Sequence, residues 1–139
     1  MTPPSAPARR RRPATVLVID DNPDFRSVLV DALREEGFAV AAAADGDEGL
    51  ALARRLQPDL VLLDIIMPGR DGFEVCQELR EDPRIAHIKV VMLTAQMGTA
   101  NVARSHLYGA DAYIAKPFEL DRLLSQIRSL LSGPSPAGH

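Results

Sequence analysis

Several short apolar runs in this chain stop at a polar residue. Asp20 and Asp21 follow TVLVI (15–19), Asp64 follows LVLL (60–63), Thr94 follows KVVML (89–93) and Lys116 follows AYIA (112–115). A buried strand tolerates a polar group where it leaves the sheet, because an unpaired polar group inside an apolar core is expensive. If these strand ends share one edge, the three carboxylates repel one another, and protons or cations must relieve the repulsion. Lys116 supplies one positive charge and a divalent metal would supply two more. Donors that are all oxygen favour magnesium, which takes one or two carboxylates plus a phosphate oxygen and keeps its waters. A carboxylate can itself attack phosphorus, and in that setting Asp64 would be the nucleophile. Asp21 and Asp64 would hold the metal, Lys116 would pair with one phosphoryl oxygen and the Thr94 hydroxyl would donate to another. Phosphoryl transfer needs such charge neutralisation more than it needs a base. A lone Asp at a strand end is more often a helix cap or a loop anchor. An acidic pair, a Thr and a Lys at matching strand ends favour the chemical reading.

The elements that must position these residues alternate along the chain. Strands are expected at 15–19, 39–43, 60–63, 89–93 and 112–115. The 60–63 run has no polar alternation, as in a parallel strand covered on both faces. A helix after Asn22, with Pro23 at its first position, places Phe25, Val28, Leu29, Ala32 and Leu33 on one inward face. Arg26, Asp31, Arg34 and Glu35 then face out. Helices follow at 47–56, with Leu50, Ala53 and Leu56 inward, and at about 72–81. Gly49 weakens the 47–56 helix by roughly 1 kcal/mol relative to Ala. The pattern at 99–108 is thin, anchored by Val102, Ala103 and Leu107, and predicts a marginal helix. The last helix, about 119–131, is strongly patterned. Five strand–helix units with right-handed crossovers give an α/β, doubly wound, five-stranded parallel sheet with helices on both faces. Ligands of such sheets sit outside the carboxyl ends of the strands, which is where the polar residues fall.

Composition narrows the function further. The 139 residues fit one domain, expected at 14–132, with a basic, Pro-rich lead-in at 1–13 and a Gly/Pro/Ser tail at 133–139. The lead-in holds Arg9 to Arg12 and no acid, while the rest carries twelve Lys and Arg against nineteen Asp and Glu, a net of −7. A body so acidic is not expected to bind nucleic acid directly. Arg9–Arg12 read as a solvated lead-in. No stretch of 18 apolar residues is present, so no membrane insertion is expected. The single cysteine, Cys76, excludes an internal disulfide and points to a reducing, cytoplasmic compartment. His87, His106 and His139 form no cluster with it, which argues against zinc. No GxGxxG or GxxxxGK[ST] stretch occurs, which removes the common nucleotide-binding readings.

Four blocks carry a resemblance: VLVIDD (16–21), LVLLDIIMPGRDG (60–72), VVMLTA (90–95) and GADAYIAKPF (109–118). Together they closely resemble the receiver domain of two-component response regulators, over about residues 15–131. The resemblance implies a flavodoxin-like fold with strand order 2-1-3-4-5. It implies that Asp64 accepts the phosphoryl group. It makes Asp21 a direct magnesium ligand, has Asp20 act mainly through water, and supplies the backbone carbonyl of Ile66 as a third protein ligand. Thr94 and Tyr113 correspond to the family's switch pair, and Lys116 to its phosphate-pairing lysine, with a cis Lys116-Pro117 bond. The implied donor is a sensor histidine kinase or a histidine phosphotransfer protein. The implied consequence is a population shift on the face of the fourth helix, fifth strand and fifth helix, altering affinity for an effector protein. A monomer, or a weak dimer linked to phosphorylation, is expected.

Other outputs stay open at this level. The domain could relay its phosphoryl group to a second histidine protein, or act as an adaptor without phosphorylation. The complete Asp20, Asp21, Asp64, Thr94 and Lys116 set argues against the adaptor. Phosphatases of related topology use an Asp nucleophile with a second Asp two positions on; here that position is Ile66, so turnover of external phosphoesters is not expected, and the domain would catalyse only its own phosphorylation and dephosphorylation. No DNA-binding helix pair is visible within the sequence. Ala112 stands where many relatives have a second Asp, away from the phosphate. Ile66 and Gln96 occupy the two positions that, in this family, tune attack by water on the phosphoryl group, and neither is suited to orient that water. Self-dephosphorylation is therefore expected to be slower than in the double variant Ile66→Asn with Gln96→Glu. Decay of the phosphorylated species in the two proteins tests this, and equal rates reject it.

Overall fold

The computed structural model describes residues 13–95 and 99–132. Arg9–Arg12, Gln96 and the tail 133–139 lie outside the described residues. Strands β1 (Thr15–Ile19), β2 (Ala39–Ala43), β3 (Leu60–Asp64), β4 (Lys89–Thr94) and β5 (Ala112–Ala115) alternate with helices α1 (Pro23–Glu35), α2 (Gly46–Leu56), α3 (Gly72–Glu81), α4 (Thr99–Leu107) and α5 (Leu120–Ser132). All strand pairs are parallel, in the order β2-β1-β3-β4-β5. This is the flavodoxin-like order that the family resemblance implied.

Side chains on successive strand residues point to opposite faces, and the two faces hold two separate cores. Val16, Val18, Leu60, Leu62, Val91, Leu93 and Ile114 pack with Leu29 and Leu33 of α1 and Leu123, Leu124 and Ile127 of α5. Leu17, Ile19, Val61, Leu63, Val90 and Met92 pack with Leu50 and Ala53 of α2 and Phe73, Val75, Cys76 and Leu79 of α3. β3 lies in the middle and is buried along its whole length, Asp64 included. That explains its unbroken apolar run. Local chemistry sets where the helices start. The Asn22 side chain accepts the Phe25 N–H at 3.0 Å, and the Asp45 side chain accepts that of Glu48 at 2.8 Å. Asp71 and Glu74 form a reciprocal capping box at 2.9 and 3.0 Å.

Three residues expected to face inward, and Leu120 of the strongly patterned last helix, do not. Val28 is 68 % exposed and Leu107 is 83 % exposed, with Leu56 and Leu120 also on the surface. On α1 the apolar stripe is wider than the face that meets the sheet. Leu29 and Leu33 fill the core, whereas Phe25, Val28 and Ala32 border a surface groove of about 250 Å³ shared with Pro117, Phe118 and Leu120. On α4 the inward position of the last turn is Ser105, fully buried, and Leu107 lies roughly 200° round the helix from it. The thin pattern at 99–108 still makes a helix. Its junction with the body uses polar and aromatic groups: the Arg104 guanidinium lies 4.3 Å from the Phe73 ring centre and the Tyr108 ring 5.5 Å from it.

Arg80 fastens the far end of this region. Its guanidinium donates to the carbonyls of Gly109 and Ala86, each at 2.8 Å, and to that of Ile88, and it pairs with Asp111 at 2.8 Å. One side chain of α3 thereby ties together the loops that enter β4 and β5.

Gly49 shows how packing overrides helix propensity. A Cβ built there would stand 2.4 Å from Ile19 Cδ1 and 2.8 Å from its Cγ1. Ile19 is a β-branched core residue, 1 % exposed, with little freedom to turn away. Gly49→Ala is expected to destabilise the domain by about 1–2 kcal/mol, although propensity alone predicts a gain of about 1 kcal/mol. Urea denaturation checks the sign, and pairing it with Ile19→Val should cost less than the sum of the two single changes.

Candidate functional site

The carboxyl ends of β1, β3, β4 and β5 bring Asp20, Asp64, Thr94 and Lys116 to one edge. The backbone there is held before any side chain is considered. Asp20 N–H donates to the Ala43 carbonyl at 3.1 Å and Lys116 N–H to the Thr94 carbonyl at 2.8 Å. The Arg26 guanidinium donates to the Asp20 carbonyl at 2.7 Å. Arg26 was expected to face solvent; it is half-buried instead and braces the loop after β1. Its position one turn into α1, six residues beyond Asp20, is the signal that sequence reasoning passed over.

Asp20 is 2 % exposed and Asp64 is 7 % exposed, while Asp21 stands in solvent at the mouth. Lys116 donates to Asp20 Oδ2 at 2.8 Å and to Asp64 Oδ2 at 3.3 Å. The other oxygen of each acid is turned to the backbone: Asp20 Oδ1 accepts the Asn22 N–H at 2.9 Å and Asp64 Oδ1 accepts the Ile66 N–H at 3.3 Å. Burial is the largest influence on the Asp64 carboxyl and raises its pKa; Lys116 opposes the rise, Asp20 adds to it, and the Ile66 N–H opposes it. One ammonium is thus shared between two buried acids.

The loop after Asp64 has its own constraint. Gly72 begins α3 so close to the end of β3 that a Cβ there would stand 2.4 Å from the Asp64 carbonyl oxygen and 2.7 Å from Ile65 Cα. Its N–H donates to the Ile65 carbonyl at 2.7 Å. Met67 is buried, and Gly69 turns with φ +76°. The MPG turn and Gly72 therefore fold the 65–71 loop back over the sheet edge and leave the Ile66 side chain, 54 % exposed, at the rim.

Carboxylate oxygens of Asp20, Asp21 and Asp64 lie within 4.8 Å of one another. Hard, anionic oxygens at that spacing fit magnesium, and among the described residues no His or Cys joins them. The cluster is positioned to coordinate magnesium. Thr94 is fully buried at the end of β4. Tyr113 sits half-buried on β5, opposite Met92, against the core formed with α2 and α3; burial raises its pKa. By strand parity Thr94 shares that face with Val90 and Met92, so the expected switch pair lies on one side of the sheet. The Lys116-Pro117 bond is cis, as the resemblance implied.

A profile of the response regulator receiver domain matches residues 16–128. The DNA-binding dual master transcriptional regulator RpaA of Synechocystis is 44 % identical over 116 residues, 84 % of this chain and 48 % of that protein. The chain spans about half the length of the curated relatives it matches. Among solved structures, a putative response regulator from Chloroflexus aurantiacus superposes with a TM-score of 0.83 at 33 % identity, covering 87 % of this chain and 99 % of the other. The chemotaxis protein CheY4 of Vibrio cholerae gives 0.82 at 30 % identity, covering 86 % and 99 %.

The charge arrangement has a measurable consequence. A carboxyl whose pKa is higher in the folded than in the unfolded chain stabilises the fold below the unfolded value and loses that contribution as pH rises through the folded value. At neutral pH and without metal, the Asp64 charge therefore works against folding. Asp64→Asn is expected to raise the melting temperature of the metal-free protein by about 3–5 °C, equivalent to roughly 1 kcal/mol in a domain of this size. The gain should shrink as pH is lowered toward 4. Calorimetry in EDTA at two pH values checks both.

Proposed function

The chain belongs to the response regulator receiver family, a phosphoacceptor that catalyses only its own phosphorylation and dephosphorylation, and from that premise we propose that Asp64 is the acceptor. The observation that carries the reading is the shared ammonium, since Lys116 Nζ lies 3.3 Å from Asp64 Oδ2 and 2.8 Å from Asp20 Oδ2. A cation so placed keeps Asp64 available as a nucleophile and is within reach of a phosphoryl group attached to it.

In the proposed reaction an Asp64 carboxylate oxygen forms a bond to phosphorus as the bond between phosphorus and the donor nitrogen or oxygen breaks. The product is an acyl phosphate, and the leaving group takes its proton from solvent. Bound magnesium supplies positive charge against the phosphoryl oxygens. Asp21 would be a direct ligand, Asp20 would act mainly through water, and the Ile66 carbonyl would be a further ligand. Lys116 pairs with one phosphoryl oxygen and the Thr94 hydroxyl donates to another. Donation from Thr94 draws its side chain toward the acid edge, and Tyr113, on the same side of the sheet, follows. The surface of α4, β5 and α5 is the output, and the polar junction of α4 with the body is what supports this placement.

The proposed donor is the phosphohistidine of a sensor kinase or a histidine phosphotransfer protein, and the proposed receiver of the signal is an effector protein. Both would meet the domain in the cytoplasm. Among the described residues no helix is long and apolar enough to cross a membrane.

Incubation with magnesium and acetyl phosphate is expected to add one phosphoryl group by intact mass. The adduct should be absent with EDTA and in Asp64→Asn. Lys116→Ala should slow its formation about 100-fold, as removal of a single charge-stabilising donor does elsewhere. An adduct that survives Asp64→Asn would assign the acceptor to another residue.

A further inference from the structure

Lys116 has a third neighbour that is not an acid. Its ammonium lies 4.0 Å from the centre of the Phe25 ring, a distance at which the electron-rich face attracts a cation. The ring is itself fixed from two directions. The Phe25 N–H is bonded to the Asn22 side chain at the start of α1, and the Phe118 ring meets it edge-on at 6.1 Å and 87°. Phe118 follows Lys116 by two residues, so the segments on both sides of the pocket converge on one aromatic face. The Lys116 side chain is left 19 % exposed.

We propose that Phe25 is a positioning residue for Lys116, its ring holding the ammonium over the acid pocket throughout phosphoryl transfer. The chemistry of the three contacts explains why a ring is needed. Asp20 and Asp64 bind the ammonium in the resting site, but their oxygens are also the donors for magnesium, and one oxygen of Asp64 becomes the bond to phosphorus. The ring competes for neither metal nor phosphorus. It keeps the long, flexible lysine on the pocket side while its carboxylate partners are drawn into other bonds. An aliphatic side chain of similar size would fill the same space beside Phe118 and Leu29 without attracting the charge.

This inference rests on the acceptor reading of Asp64, and the experiment separates the two. Phe25→Leu keeps apolar bulk and removes the ring; Phe25→Tyr keeps the ring. Phosphoryl uptake from acetyl phosphate is measured for both over a range of donor concentration, with magnesium affinity read separately by titration. Phe25→Leu is expected to lower the maximal rate about three- to ten-fold, the range for a partly shielded cation–ring contact. Magnesium affinity should be unaltered, and Phe25→Tyr should restore the rate. Independently of activity, the Lys116 ε-methylene protons should be shifted upfield by the ring in the parent and in Phe25→Tyr, and should move downfield in Phe25→Leu. Equal rates in parent and Phe25→Leu, or a loss that Phe25→Tyr does not restore, overturn the proposal while leaving Asp64 as acceptor. No adduct in the parent protein overturns the acceptor reading and this inference with it.

Discussion

Two acids buried at the same sheet edge must share one ammonium, and much of the site follows from that constraint. Asp20 and Asp64 are both nearly inaccessible to water, so neither charge is relieved by solvent. Lys116 contacts both, yet burial still raises the Asp64 pKa. The resting site therefore holds more negative charge than its own cation balances. That imbalance is what makes it receptive to magnesium and, once the metal is bound, to a phosphoryl group. A site neutral at rest would bind neither so readily.

The scaffold is arranged to hold that imbalance without collapsing. Each acid turns one oxygen to a backbone N–H of the loop that follows it, and Arg26 bonds the Asp20 carbonyl from the first turns of α1. Gly72 permits α3 to begin against the Asp64 carbonyl. Below the edge, β3 is covered on both faces by close-packed apolar side chains, and movement of Asp64 into the core would displace them. The carboxylates can respond to cations and to little else.

The two faces of the sheet divide the labour. Phe25, in the first turn of α1, and Lys116, in the segment that leads into α5, meet at the pocket, while Tyr113, and by parity Thr94, belong with the core of α2 and α3. The ammonium is held from one side, while the proposed switch pair lies on the other. The α4 segment suits a readout because Arg104 and Tyr108 dock it on Phe73, whereas its most apolar terminal residue, Leu107, faces solvent. Arg80 closes the opposite end of the same region through carbonyls and Asp111.

The strand–helix alternation was legible in the sequence because periodicity is local. An apolar run without alternation must be covered on both faces, and a polar residue at its end must lie at the sheet edge. Those two statements place Asp20, Asp64, Thr94 and Lys116 together, and the family resemblance added the strand order. Contacts between distant segments were not legible. The Lys116 ammonium meets acids 96 and 52 residues away along the chain, and no pattern within one segment states which oxygens it takes or that the Phe25 ring lies beside it. Nor does composition show that Val28 lies beside a groove, that Arg26 turns inward, or that Gly49 leaves room for Ile19. Helical pattern gives the direction of an apolar stripe but not its buried width, and propensity treats a glycine as a cost when the neighbouring strand needs its missing Cβ. Those outcomes depend on how close the elements approach one another, and only the folded packing sets that distance.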